Sequence, residues 1–258
     1  MTDAPILWRD LRRFTPARIA LGRVGNGLPT TAHLAFQAAH AAARDAVHTA
    51  LDIPTLQADL TTAGLDSLVV RSACPDRRTY LLRPDLGRRL HPDDQPTLAA
   101  HAQPGSIAIA ICDGLSACAV QRHAPPLLAR LTRHLGPTPP IIIATQGRVA
   151  LGDDIGAALA ADAIIVLIGE RPGLSTPDSM GAYLTWQPGR GRTDANRNCV
   201  SNIRPEGLSI PQAATKLEWL IHQMRHLKLS GVALKDEQPR VAGGDGGSVG
   251  EGRKQAQP

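Results

Sequence analysis

The sequence predicts an α/β fold: a Rossmann-like, mostly parallel sheet flanked by helices, with a small helical lobe at the N-terminus. Three observations predict it. From about residue 65 onward, short apolar runs alternate with helical patterns, the arrangement of parallel strands joined by helices packed on both faces. The runs at 107–112, 140–145 and 163–168 are nearly continuous in apolar residues, as strands buried on both faces must be. Aromatic residues are only 3% of a chain that is 43% hydrophobic, so Ala, Leu, Ile and Val must build the core.

Residues 1–58 read as the helical lobe, without a credible strand. Thr30 and Thr31 precede an Ala-rich run to Ala50, with Leu34, Ala38, Ala41 and Ala42 at helical spacing. Thr30 or Thr31 can supply the oxygen that satisfies the first free helix amides. Pro54 opens a further short helix, because proline fits a first turn.

Residues 59–236 read as the α/β domain. Leu68–Arg71 and Thr79–Leu82 are predicted as short strands around a turn at Pro75-Asp76. Ile107–Cys112 is a buried strand ending in Asp113-Gly114, and a helix follows over roughly Ser116–Leu135. Pro140–Thr145 is the next strand, ending in Gln146-Gly147-Arg148, with a helix over Asp153–Ala161. Ala163–Ile168 is the third buried strand and runs straight into Gly169-Glu170-Arg171. Tyr183–Trp186 and Cys199–Ile203 are shorter strand candidates. Pro211–Leu229 is an amphipathic helix whose stripe is Ala214, Leu217, Trp219, Leu220, Met224 and Leu227. Residues 237–258 are so rich in glycine that buried surface cannot offset their ordering entropy, which predicts a flexible tail.

The formal charge of +5 raises nucleic acid as a partner. However, the arginines are scattered, many beside acids, as Arg44 is beside Asp45. So few aromatics leave no stacking platform for bases. An arginine-rich surface suits a phosphate-bearing ligand or an acidic protein partner equally well. No apolar run approaches the ~18 residues of a membrane span, and no signal pattern opens the chain. Cys74, Cys112, Cys118 and Cys199 form no CxxC pair or disulfide framework, so free, mostly buried thiols in a reducing cytoplasm are expected.

In an open α/β sheet, ligands bind outside the carboxyl ends of the strands. The loops Asp113-Gly114, Gln146-Gly147-Arg148 and Gly169-Glu170-Arg171 would share that edge. They form either a ligand shelf or three ordinary turns that use glycine for geometry. Gly22–Thr30 is a glycine-rich loop before a helix, but no strand precedes it, so it meets no phosphate-binding pattern. His222 and His226 are four apart, yet Gln223 stands where a zincin has Glu, so a solvated helix face is the better reading. The same holds for His33 and His40. Cys199 has Arg197 near it but no evident catalytic histidine. No self-contained catalytic set and no metal site emerge.

Several strings in order carry a family likeness: PARIALGRVGNGLPT, YLLRPDLGRRL, GRVALGDDIGAAL, IGERPGLSTPDSMGAYLTW and NRNCVSNIRPEGL. Across about residues 16–236 the chain resembles the small (light) subunit of ethanolamine ammonia-lyase. The resemblance implies part of an adenosylcobalamin-dependent radical lyase that converts ethanolamine to acetaldehyde and ammonia. It implies a large catalytic subunit as partner, in a hetero-oligomer, with the cobalamin held at the interface between them. The family's small-subunit cobalamin contacts fall on Val149, Glu170 and Cys199, with no catalytic residue in this chain. The DxHxxG segment that replaces the cofactor's own base is absent, since Asp45 and His48 are three apart. The resemblance therefore implies that the cofactor keeps its dimethylbenzimidazole. Some relatives carry a long extension before the helical lobe; its absence here favours plain cytoplasm over packaging in a bacterial microcompartment. Two competing readings are a stand-alone α/β nucleotide- or cofactor-binding module without lyase activity, and a purely structural interaction subunit.

Overall fold

The structure, a computed structural model, describes residues 6–15, 17–136 and 138–235. The tail predicted over 237–258 lies outside the described residues. Six strands form one sheet in the order β1-β3-β2-β4-β5-β6: β1 Ser67–Arg71, β2 Ile107–Cys112, β3 Ile141–Thr145, β4 Ala163–Gly169, β5 Met180–Trp186 and β6 Arg197–Ile203. β1 to β4 are parallel, whereas β5 and β6 run antiparallel. This is the predicted α/β fold with a mostly parallel sheet.

The helices are α1 Ile6–Leu11, α2 Thr30–His48, α3 Ile53–Thr62, α4 Arg77–Leu82, α5 Gln95–Ala99, α6 Ala117–Leu131, α7 Leu151–Ala158 and α8 Ile210–Leu227. Their starts follow from local chemistry. Asp52 accepts the Thr55 amide at 3.1 Å to open α3, with Pro54 in the first turn. Ser116 caps α6, and a Ser209–Gln212 capping box opens α8.

Successive residues of β2, β3 and β4 alternate between two cores, as a period of two requires. Ile107, Ile109, Ile111, Ile141, Ile143, Ile165 and Leu167 face one side and meet Leu56 and Leu60 of α3, Leu127 and Leu131 of α6, and Leu217 and Leu220 of α8. Ala108, Ala110, Ile142, Ile164 and Val166 face the other and meet Leu98 of α5 and Leu151 and Ile155 of α7. Small residues bring α7 close on that second side: a Cβ on Gly152 would collide with Val166, and one on Gly156 with Pro188.

Four expectations are corrected. Thr79–Leu82 is not a strand but the end of α4, because Asp76 accepts the Thr79 amide at 2.8 Å and starts a helix instead of a hairpin. Neither Thr30 nor Thr31 caps α2; Pro29 holds that position without a side-chain bond, and the helix stops at His48. The thiols are all free, but only Cys74 and Cys112 are buried; Cys118 is half-buried and Cys199 exposed. Leu227, assigned to the α8 stripe, is 49% exposed.

The described part of the N-terminal segment has a different character. No residue of α2 is buried, and Leu34 and Phe36 are exposed. The glycine-rich loop before it is a turn closed by paired bonds between Val24 and Gly27. α3, by contrast, buries Leu56 and Leu60 in the main core.

Candidate functional site

Two of the three strand-end loops turn inward on each other. Asp113, at the end of β2, is buried. Its carboxylate accepts the amides of Gly114 at 2.9 Å, Gly147 at 3.0 Å and Gln146 at 3.0 Å. Burial pushes its pKa up, while those amides and the Arg77 guanidinium, 3.6 Å away, oppose the rise. Arg77 also donates to the carbonyls of Gly114 at 2.8 Å and Val47 at 2.7 Å, so α4 ties α2 to the strand ends. The Tyr80 ring lies between the guanidiniums of Arg77 and Arg148, 4.7 and 4.2 Å from its centroid, a doubled cation–π contact. Gly114 has φ +58°, and a Cβ there would strike the Gly169 carbonyl. These loops are packed structure, and Asp113 is a brace within it.

The third loop differs. Glu170 follows β4 directly, and its amide donates to the Ser179 carbonyl at 2.9 Å. Its carboxylate accepts the Ser179 hydroxyl and the Asn202 amide. Glu170 thus gathers the end of β4, the approach to β5 and the end of β6. Gly181 lies beneath it: a Cβ there would be 3.0 Å from Glu170 Oε1 and 3.3 Å from the Tyr183 ring.

Cys199 pairs in register with Tyr183 across the β5–β6 ladder, so the two side chains share a face. The phenol and the thiol are therefore neighbours on that face. Partial desolvation against the sheet pushes the otherwise exposed Cys199 thiol up, the neighbouring Tyr183 phenol opposes this, and the Glu170 charge adds to the rise. Burial also raises Tyr183, which therefore stays protonated and can donate. Val149, just before α7, packs against the same core cluster as Tyr183.

Glu170 and Cys199 therefore converge around Tyr183, with Val149 on the same side of the sheet. Tyr183, Gly181, Ser179 and Asn202 were not singled out from sequence. The signal for the first two was present: residues two apart in a strand share a face, so Gly181 and Tyr183 go together once the strand is extended to Met180. Farther along the same face, Arg197 grips Asp153 of α7 with two bonds of 2.7 Å and donates to Thr185 at 3.0 Å, all three buried.

The arrangement is a half-open sheet face with small and amphipathic side chains, one carboxylate at its rim and a protonated phenol at its centre. Such a surface can seat a broad, largely apolar ligand carrying amide donors. It holds no nucleophile with an adjacent base, and among the described residues no group of three or more His, Cys, Asp or Glu could hold a metal ion. No helix among the described residues is long and apolar enough to cross a membrane.

Comparison with known proteins gives this surface its context. The family model described as ethanolamine ammonia-lyase light chain matches residues 6–235. The ethanolamine ammonia-lyase small subunit of Azotobacter vinelandii is 55% identical over 253 residues, covering 95% of this chain and 93% of that protein. The small subunit from Xanthomonas campestris pv. campestris strain B100 is 54% identical, covering 90% of this chain and 89% of its own length. That of Pseudomonas fluorescens strain Pf-5 is 52% identical, covering 92% and 89%. With a match that spans the described residues and more than half of the aligned positions identical to each of these relatives, the chain belongs to the ethanolamine ammonia-lyase light chain family.

Proposed function

We propose that this chain is the small subunit of an adenosylcobalamin-dependent ethanolamine ammonia-lyase and that it helps hold the cobalamin against a large catalytic subunit. The observation that carries this is the convergence of Glu170 and Cys199 on the half-open face around Tyr183. The residues fit the group. Gly181 leaves room beneath the Glu170 carboxylate that a Cβ would fill, and the floor is small and largely uncharged. Glu170 accepts hydrogen bonds from the corrin's amides or the nucleotide-loop hydroxyls, Val149 offers apolar surface and backbone groups, and Cys199 packs closely without strong polarity. When bound, the cofactor supplies homolysis of its cobalt–carbon bond, which starts the conversion of ethanolamine to acetaldehyde and ammonia. This chain contributes no proton donor or nucleophile to that reaction. It orients the cofactor and shields one face from water.

The exposed apolar residues of α2 support a role at the subunit interface. Leu34 is 56% and Phe36 40% exposed on a helix with no buried residue, the apolar surface a large-subunit partner would cover. The four free thiols support a reducing compartment, and we assign the protein to the cytoplasm.

Reconstitution tests the assignment. This chain, a matching large subunit and the two together are each assayed for acetaldehyde from ethanolamine with adenosylcobalamin. Turnover is expected only from the mixture. Turnover by this chain alone, or equal turnover by the large subunit without it, refutes the assignment.

A further inference from the structure

A cleft of about 420 Å³ sits beside Ala150, Asp153 and Asp154 at the start of α7. Arg88 and Arg89 flank it on one side, and Arg190 and Arg192, from the β5–β6 connection, on the other.

The carboxylates of this cleft are already engaged. Asp85 is chelated by Arg83, 3.0 Å from Nε and 2.7 Å from Nη2. Asp153 is held by the two 2.7 Å bonds from Arg197. Asp154 accepts the Leu90 amide at 3.0 Å and meets Arg190 at 3.5 Å. Arg192 donates to a neutral acceptor, the Gln187 carbonyl, at 2.9 Å. Arg88 and Arg89 have no acidic partner among the described residues. The cleft therefore keeps a local excess of positive charge.

A carboxylate offers two oxygens and is satisfied by a single guanidinium fork. A phosphate offers three or four oxygens in a tetrahedron and can engage several forks at once. The volume is that of a small-molecule site. No aromatic residue lines it, so a base has nothing to stack on and recognition would rest on the anion.

We propose that this cleft binds a phosphate group carried by a small molecule. Two sources share that chemistry: the phosphate in the nucleotide tail of the cobalamin, which rests on the cofactor reading above, and a free phosphate ester, which does not.

The test is a calorimetric titration of pyrophosphate into the cofactor-free complex of the full chain with its large subunit. Wild type is compared with the Arg88→Ala/Arg89→Ala double variant. Both side chains are exposed and unpaired, so the variant is expected to fold, and an unchanged circular dichroism spectrum checks this. Saturable binding to wild type, weakened about tenfold or more in the variant, is expected. No saturable binding, or equal affinity in both, overturns the proposal. Repeating the titration on complex loaded with adenosylcobalamin separates the sources. Loss of pyrophosphate binding assigns the cleft to the cofactor's own phosphate; retention assigns it to a free ester. Should adenosylcobalamin itself fail to bind, as read from its absorption spectrum, the cofactor reading falls and the first titration still decides the cleft.

Discussion

The two faces of the sheet use the same strands and are finished differently. One is closed along its length by α3, α6 and α8, and its side chains reach from Ile141 through Ile109 and Ile165 to Leu184 and Val200 without a break. The other is covered only by the short helices α5 and α7, and beyond α7 it opens at Tyr183 and Cys199. A single strand serves both: Met180, Ala182 and Leu184 are buried in the closed core, while Gly181 and Tyr183, between them, turn to the open side. Closed core and open face are thus separated at a spacing of one residue.

The comparison breaks if damage to the open side costs as much folding energy as damage to its buried margin. The largest loss is expected at that margin. Asp153→Ala strands the buried Arg197 guanidinium and is expected to destabilise the fold by about 3–5 kcal/mol, read from urea denaturation. If it loses less than about 1 kcal/mol, the pair is not the brace between α7 and β6.

Next comes the closed face. Leu217→Ala removes a fully buried side chain and is expected to cost about 3 kcal/mol, while the variant, once assembled, keeps wild-type affinity for adenosylcobalamin. A fall in affinity without a fall in stability would reverse the roles of the two faces.

Glu170→Ala should weaken adenosylcobalamin binding in the assembled enzyme by about tenfold, or ~1.4 kcal/mol, measured by the spectral change on titration. Unchanged affinity would leave Glu170 as a fastener for Ser179 and Asn202 alone.

The smallest effect sharpens the same contrast by chemistry. Partial desolvation and the Glu170 charge raise the Cys199 thiol, so its thiolate forms at higher pH than an ordinary cysteine's ~8.5. Its alkylation rate should climb late as pH rises, and bound cofactor should suppress it. A half-maximal rate at or below ~8.5 would contradict the environment described for this thiol.

The closed face was largely legible from sequence, because continuous apolar runs such as Ile107–Cys112 have few alternatives in a chain of this length. Short elements were not. The run ending at Leu82 is equally compatible with strand and helix, and only the cap at Asp76 decides between them. α5, five residues long, is too brief to show a period. The start of β6 was hidden because Arg197 reads as a loop residue, while its buried partner Asp153 is 44 positions away in sequence. At the candidate site, the strand-end rule marked the loop holding Glu170, while Val149 and Cys199 as contacts came from the family resemblance. Their relation did not, since Glu170 and Cys199 meet only through the intervening strand β5, whose antiparallel direction no local pattern reveals.

The segment between β5 and β6, residues 187–196, lies outside the ladder that pairs Tyr183 with Cys199. It emerges at the end of the sheet opposite Glu170, since Trp186 pairs with Ala163 while Met180 pairs with Gly169. Strand register is held by the buried alternation of Ala182, Leu184 and Val200, not by this segment. Changing its length therefore repositions Arg190 and Arg192 without displacing the pairing of Tyr183 with Cys199. The cleft proposed to bind phosphate can thus be tuned there as an independent module.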